Sequence, residues 1–366
     1  MNTVPGPAAF TDCHRPHPTM GRKIKWGVIG SGGIARRRTI PEGLAVAGNA
    51  ELAVVYDVNA KANAEVAAAC GARPVATVAA LLGTAIDAVY LATPPDVHRE
   101  LALACARAGK QVLCEKPLAL TVADAADLIA ECQAAGVRLG TAFMMRFHAQ
   151  HQAALRLIQQ GRLGEPVFAR AQLSCWYPPL ANAWRQDATR GAGGALVDLG
   201  GHCIDLLEMF FGPVTAVSCA TARRIHDYPV EDSAIATLHF ANGALGVVDT
   251  FFCIRDESSR NVLELYGSCG SIHASGTIGQ GDRGEMVARL LEDGAAYDAQ
   301  QARAAGTALP ISPPPVNMYR AEIEEFSQAI LDGREPANNA QLGDRSQRML
   351  AACYESARSG ARVALN

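Results

Sequence analysis

Three stretches of this 366-residue sequence hold residue types at spacings that chemistry can use. In the first, the apolar run Ile24–Ile29 leads directly into Gly30-Ser31-Gly32-Gly33-Ile34-Ala35, and a helical segment follows. Gly30 permits a tight turn, Gly32 lets the backbone approach a pyrophosphate, and Ala35, in the place of a third glycine, lets helix and strand pack closely. The helix start then offers free N–H groups and partial positive charge to phosphates. The second stretch, Cys114-Glu115-Lys116-Pro117, puts an amine at a strand end. In the third, Asp198, His202 and Asp205 recur at i, i+4 and i+7, on one face of a helix whose other positions (Ile204, Leu206, Leu207, Met209, Phe210) are apolar.

These groups suit hydride transfer to a dinucleotide. Oxidising an alcohol requires removal of the hydroxyl proton as the hydride leaves, and carbonyl reduction requires the reverse. Lys116 lies at the carboxyl end of a parallel strand, where open α/β sheets bind ligands, and its ammonium can polarise a substrate oxygen. Pro117 restricts Lys116 to extended backbone. His202 is the natural acid/base, expected to titrate near neutrality, with Asp198 and Asp205 orienting it, raising its pKa or binding hydroxyls. The other readings are a strand end with exposed charges at Glu115-Lys116-Pro117 and a solvent-facing polar stripe on the helix. A metal site is disfavoured because no third histidine or cysteine is placed to complete it.

Asp57, ending the second apolar run, bears on the cofactor. A carboxylate there accepts hydrogen bonds from the adenosine ribose and repels a 2′-phosphate, which favours NAD, with NADP as the alternative. Asp57 also reads as a cap for the helix starting near Ala60. Arg36-Arg37-Arg38 sits where it could reach a phosphate, or forms a solvated helix face.

The elements that must position these groups fall into two textures. From Lys23 to about Phe143, the apolar runs Ile24–Gly30, Leu52–Asp57, Ala88–Thr93, Gln111–Glu115 and Val137–Phe143 alternate with helical segments (Lys61–Cys70, His98–Ala108, Thr121–Ala135), as a parallel sheet covered on both faces requires. After Phe143, a helix near Gln150–Gln160 and a strand Val167–Trp176 precede the helix Leu196–Phe211. The alternating segments Val214–Ala222, Ser233–Phe240, Ala244–Phe252 and Asn261–Ala274 then predict a mostly antiparallel sheet. Helices near Met318–Leu331 and Leu342–Ser359 close the chain.

Composition bounds the remainder. Hydrophobic residues at 49% and charged residues at 19% describe a globular chain. With 33 basic against 36 acidic residues, nucleic acid is disfavoured as a partner. The 11 cysteines are scattered without a C-x-x-C pair, which fits a reducing compartment and a cytoplasmic protein. No run of membrane-spanning length occurs. Residues 1–20 read as a disordered tail, with Met20 an alternative start.

Seen with their flanks, these stretches make a known combination: Asp87-Ala88-Val89-Tyr90-Leu91-Ala92-Thr93-Pro94-Pro95-Asp96-Val97-His98; Ala108-Gly109-Lys110 ahead of Cys114-Glu115-Lys116-Pro117; and Gly193-Gly194-Ala195-Leu196-Val197-Asp198-Leu199-Gly200-Gly201-His202 with Asp205. With the glycine motif, the chain after Met20 resembles the Gfo/Idh/MocA oxidoreductase family (glucose–fructose oxidoreductase and inositol dehydrogenase). The resemblance implies a Rossmann domain (21–145) and a C-terminal α+β domain (146–366) with a large, mostly antiparallel open sheet used for homodimer or homotetramer contacts, the last helix packing back on the first domain. It also implies a sugar, polyol or derivative as substrate. Trp184-Arg185 and Asn317-Met318-Tyr319 are closest to a sugar-reductase branch that includes 1,5-anhydrofructose reductases. That branch is NADP-linked and carries serine at Asp57 and arginine at Ala62, so its cofactor choice does not transfer.

On this resemblance Lys116, His202 and Asp198 are catalytic. Gly30, Ser31, Gly32, Gly33, Ile34, Asp57, Thr93, Pro94, Pro95, His98, Glu115, Lys116 itself, Trp184, Arg185 and Tyr319 line the cofactor. Asp205, Tyr177, Arg146 and Trp184 meet the substrate. A nucleotide-binding regulator without turnover, or a glycosidase that uses NAD transiently, stand as alternatives.

Overall fold

The computed structural model describes residues 21–291 and 308–365, so the expected tail at 1–20 lies outside the described residues. Strands β1 (Ile24–Ile29), β2 (Ala50–Tyr56), β3 (Arg73–Pro74), β4 (Ala88–Leu91), β5 (Gln111–Glu115) and β6 (Leu139–Ala142) form one parallel sheet in the order β3-β2-β1-β4-β5-β6. Strand order reverses between β1 and β4, which opens a crevice at their carboxyl ends. Every residue of β4 is buried, because helices cover both sheet faces and leave no polar alternation. The two-residue β3, exposed on both residues, carries no apolar signal and escaped sequence reading.

Local chemistry starts the helices where expected. The Asn59 side chain accepts the Ala62 N–H at 3.0 Å at the head of Ala60–Cys70. The Thr121 hydroxyl accepts the Asp124 N–H at 3.1 Å at the head of Val122–Ala134. Such caps contribute about 1 kcal/mol each.

The second sheet contains β7 (Pro166–Ser174), β8 (Val214–Ala222), β9 (Ser233–Phe240), β10 (Leu245–Phe251), β11 (Val262–Gly267), β12 (Gly270–Ser275), β13 (Glu285–Leu290), β14 (Ala308–Pro310) and β15 (Val363–Ala364). Its order is β14-β13-β12-β11-β7-β10-β9-β8-β15, antiparallel except where β7 and β10 run parallel. The segment Asn261–Ala274, read as one strand, is the hairpin β11–β12. Buried Leu263 and Leu265 continue into buried Ile272 and Ala274, so alternation alone does not mark the turn.

The helix Gly201–Phe211 lies on the inner face of this sheet, and Leu206, Leu207 and Phe210 share its core with Ala169 and Ala171. Each such side chain contributes about 1.5–3 kcal/mol when fully buried. The chain then returns to the first domain. Ile323 and Phe326 of the helix Met318–Asp332 sit in one core with Trp26, whose indole N–H donates to Ser327 Oγ at 3.1 Å. The helix Ala340–Ser359 spans both domains, with Ala340 in the first core and Met349, Leu350 and Cys353 in the second.

Candidate active site

The glycine loop after β1 is shaped by close backbone approach. Gly30 has φ +86°, and a Cβ there would lie 2.7 Å from the Ala92 carbonyl oxygen, so no other residue fits the turn. Gly33 has φ +51° and open space where a Cβ would point. The buried Ser31 hydroxyl donates to Asn63 Oδ1 at 3.0 Å and braces the loop. Asp57 accepts the Gly32 N–H at 2.8 Å through one carboxylate oxygen and the Asn59 N–H at 2.9 Å through the other. It therefore faces the loop, while Asn59 caps the following helix. A bare loop at a helix start, with a carboxylate at the next strand end, fits a dinucleotide.

Ala35–Leu44, which follows, is wound as a wide π-helix with Pro41 inside. The arginine run divides along it. Arg36 pairs with Glu65 at 3.1 Å on the surface, whereas Arg38 is half-buried, pairs with Glu42 at 3.1 Å and lies 5.2 Å over the Tyr319 ring. Tyr319 is 3% exposed and its hydroxyl, aimed toward this region, is buried without a partner.

At the end of β5, Lys116 reaches across to the second domain. Its ammonium donates to Asp198 Oδ1 at 2.8 Å and to the Asp198 main-chain oxygen at 2.5 Å. Arg185 Nε stands 3.1 Å from the same Oδ1, and its guanidinium stacks 4.1 Å over the Trp184 ring. Burial alone would raise the Asp198 carboxyl, yet Arg185 and Lys116 hold it well below the usual carboxylate range. Glu115, one residue back, accepts the Tyr90 hydroxyl, and Thr39 Oγ1 donates to that hydroxyl at 3.0 Å. Burial pushes Glu115 up, opposed by Tyr90 and Lys116.

His98 joins the two loops beside the lysine. Its buried ring nitrogens lie 2.9 Å from the Pro117 carbonyl oxygen and 2.8 Å from the Thr93 carbonyl oxygen. Thr93 and Pro94-Pro95 thus form one rigid rim with the Lys116–Pro117 turn. Arg190 Nε, 3.0 Å from Asp96, ties the loop carrying Trp184 to this rim.

The polar helix face departs from its expected use. Leu196–Gly200 is a π-turn, and the α-helix proper begins at Gly201. That wider turn displaces Asp198 from its i+4 neighbour, and its carboxylate goes to Lys116 and Arg185 instead of His202. Asp205 is also taken: Arg146 Nε donates to its two oxygens at 2.9 and 2.8 Å, with both side chains at most 7% exposed. Burial nevertheless pushes the Asp205 carboxyl up to about 6. The Asp198 charge still raises the His202 pKa, but it is outweighed. Burial, and then the Lys116 charge, drive it well below 6.5, and Nδ1 is buried without a partner. His202 is a neutral imidazole beside an ammonium. Tyr177 stands next to Arg185, its ring 5.0 Å from Phe252, with burial raising its hydroxyl.

Two supports carried no sequence signal: Glu231 with Tyr354 behind the Gly193-Gly194 turn, and Tyr90 with Thr39 behind Glu115. The doubled glycine ahead of a polar helix was the one hint of a close approach. Among the described residues no cluster of three His, Cys, Asp or Glu is placed to hold a metal ion, and no helix is long and apolar enough to cross a membrane.

A doubly wound sheet with a glycine-rich first turn, facing a lysine and a histidine at the crevice between two domains, defines a nicotinamide-dependent oxidoreductase. The chain belongs to the GFO/IDH/MocA family. The profile of the oxidoreductase family with NAD-binding Rossmann fold matches residues 24–143, and that of the GFO/IDH/MocA C-terminal domain matches 151–273. It is 31% identical to the 1,5-anhydro-D-fructose reductase of Ensifer adhaerens, over 87% of this chain and 92% of that one. To a D-xylose 1-dehydrogenase (NADP(+)) of Haloferax volcanii it is 28% identical, over 94% and 100%. Among solved structures it superposes on the aldose-aldose oxidoreductase from Caulobacter crescentus complexed with glycerol with TM-score 0.84, 26% identity and coverage of 94% and 100%. On the WlbA dehydrogenase from Bordetella pertussis in complex with NADH and UDP-GlcNAcA it superposes with TM-score 0.79, 26% identity and coverage of 95% and 99%.

Proposed function

We propose that this enzyme transfers a hydride between NAD and a CH–OH or carbonyl carbon of a sugar, polyol or sugar derivative, with Lys116 and His202 sharing the substrate oxygen. The observation that carries this reading is the convergence of Lys116 from β5 with Asp198 and the neutral His202 of the second domain. The substrate class follows the relatives, which reduce or oxidise sugars.

Bound nicotinamide supplies the hydride acceptor or donor. The start of the helix after Gly30-Ser31-Gly32-Gly33-Ile34 would hold the pyrophosphate and Asp57 the adenosine ribose, with Thr93, Pro94, Pro95 and His98 forming the rim. Glu115, Trp184, Arg185 and Tyr319 would surround the nicotinamide end. Lys116 polarises the substrate oxygen. His202, neutral at working pH, takes the hydroxyl proton during oxidation and returns it during reduction. Asp198 fixes the ammonium, and the flat faces of Trp184 and Tyr177 suit the C–H face of a sugar ring. Arg146 and Asp205, buried and bonded to each other, position the helix that carries His202 rather than meeting substrate.

The test assays 1,5-anhydro-D-fructose, D-xylose and myo-inositol with both nicotinamide cofactors, then repeats the best reaction in Lys116→Ala and His202→Ala. Loss of about 10²–10⁴-fold in kcat is expected of acid–base groups, and a kcat within about tenfold of the parent sinks the assignment.

A second copy of the chain is the proposed partner, through the open face of the second sheet. Leu245, Phe168 and Tyr266 lie side by side there, and Ile235 and Leu245 are 50% and 46% exposed. Light scattering of Leu245→Asp should show a smaller assembly than the parent; identical masses would remove this face from the interface.

A further inference from the structure

We propose that Glu231 is a positioning residue for hydride transfer: from the loop before β9 it clamps the Gly193–Leu196 turn, and through that turn sets the Asp198 carboxylate against the Lys116 ammonium. This rests on the reading of Lys116 and Asp198 given above.

The start of a helical run leaves N–H groups without intrahelical partners. Here one residue takes three in succession. Glu231 Oε1 accepts the Gly194 and Leu196 N–H groups, each at 3.0 Å, and Oε2 accepts Gly194 again at 3.1 Å. The Glu231 main-chain oxygen accepts the Ala195 N–H at 3.1 Å. The Tyr354 hydroxyl, from the last long helix, donates to Oε1 at 2.9 Å and holds the carboxylate in place. A buried carboxylate thus caps a helix start from a loop distant in sequence, with its charge at the positive end of the dipole.

Both glycines of the turn answer to this clamp. A Cβ on Gly194 would lie 2.0 Å from the Glu231 main-chain oxygen, and one on Gly193 would lie 1.9 Å from the Tyr354 hydroxyl oxygen. Ala192, just before them, has φ +68°, a left-handed conformation that costs a non-glycine residue strain and persists only where the surroundings enforce it.

The link onward is direct. The Asp198 N–H donates to the Gly194 carbonyl oxygen at 3.0 Å, so the clamped residue holds the backbone of Asp198. The Asp198 main-chain oxygen and carboxylate in turn both accept from Lys116. A carboxylate remote from the crevice therefore controls where the ammonium sits. Displacing such a group by about 1 Å can cost about 10²-fold in rate.

The experiment compares Glu231→Ala and Glu231→Gln with Asp198→Asn and the parent. Kinetics use whichever of 1,5-anhydro-D-fructose, D-xylose and myo-inositol turns over fastest, NADH binding is read by fluorescence, and a crystal structure is solved for each Glu231 variant. Glu231→Ala should lose at least about 30-fold in kcat with substrate KM and NADH Kd within about threefold of the parent. Glu231→Gln, which keeps one acceptor oxygen, should recover part of that loss. The Lys116–Asp198 bond should lengthen beyond hydrogen-bond reach in the alanine variant. If Glu231→Ala does not fold, the glutamine variant decides, with at least about fivefold lost in kcat alone.

A kcat within about threefold of the parent for the folded variant, or an unmoved Lys116–Asp198 contact in its structure, overturns the inference. Loss of kcat in Asp198→Asn but not in the Glu231 variants rejects the clamp and leaves the site intact. Full activity in Asp198→Asn rejects the site reading itself.

Discussion

Lys116 and Asp198, 82 residues apart in sequence, are joined twice, once through the carboxylate and once through the main-chain oxygen of the aspartate. The doubled contact crosses the domain boundary, so the crevice closes on a charge pair whose partners are anchored in different cores. Lys116 is rooted in β5 and Asp198 in a π-turn, and Arg185 meets the same carboxylate from the Trp184 loop. Groups that act as such a unit do not contribute additively.

A double-mutant cycle of Lys116→Ala and Asp198→Asn should therefore be strongly non-additive. Each single change is expected to lower kcat by about 10²-fold or more, and the double variant to fall little further. Additive losses would show that Asp198 acts without Lys116.

The state of His202 sets the pH profile. A base that must be neutral to accept a proton loses activity as pH falls through its own pKa, and burial with the adjacent Lys116 charge places that pKa well below 6.5. The acid limb of kcat/KM for alcohol oxidation should accordingly lie below the ordinary imidazole midpoint, with a flat profile through pH 6.5 in protein whose far-UV circular dichroism is unchanged. A limb centred at or above 6.5 would mean that another group takes the proton.

Asp57 gives a cofactor prediction. Its carboxylate already faces the glycine loop through Gly32, where a 2′-phosphate would meet negative charge. The parent should bind NADH more tightly than NADPH, and Asp57→Ser should narrow that preference by about 10-fold or more, mostly by gaining NADPH affinity. Equal affinities in the parent would mean that the carboxylate does not select. Titration of intrinsic fluorescence with each reduced cofactor separates these outcomes.

Much of this architecture is written in local pattern. Strand β4 is buried throughout and β1 and β5 nearly so, and the caps at Asn59 and Thr121 sit within a few residues of the N–H groups they satisfy. The glycine loop is legible for the same reason. The partners of the polar helix face are not, because contacts such as Arg146–Asp205 and Lys116–Asp198 join segments 59 and 82 residues apart. The i, i+4, i+7 spacing gave the right face but assumed a uniform helix, and the π-turn at Leu196–Gly200 redirected Asp198. Glu231 left no trace, since its acceptors serve main-chain groups of another segment, which side-chain spacing does not encode.

Acid stability offers a test of burial independent of turnover. His148 and His151 pack with ring centroids 4.6 Å apart at the start of the helix Ala149–Gln159, and burial depresses their pKa values to about 4 and about 3, the second also through the charge of the first. Their unfolded forms titrate near 6.5, so below that pH the unfolded chain binds protons that the native protein refuses. The stability they confer is thus complete above 6.5 and is lost as pH falls toward the native values. Between pH 6.5 and 5.5 each should remove about 1 kcal/mol. Buried Asp205 and Glu115, held above their usual ranges, work in the opposite sense, so the comparison is between variants at the same pH. In urea unfolding, His148→Gln/His151→Gln should lose about 2 kcal/mol less than the parent over that interval, whatever its stability at pH 7.5. Parallel pH curves for the two proteins would show that these imidazoles are charged or exposed in the native state.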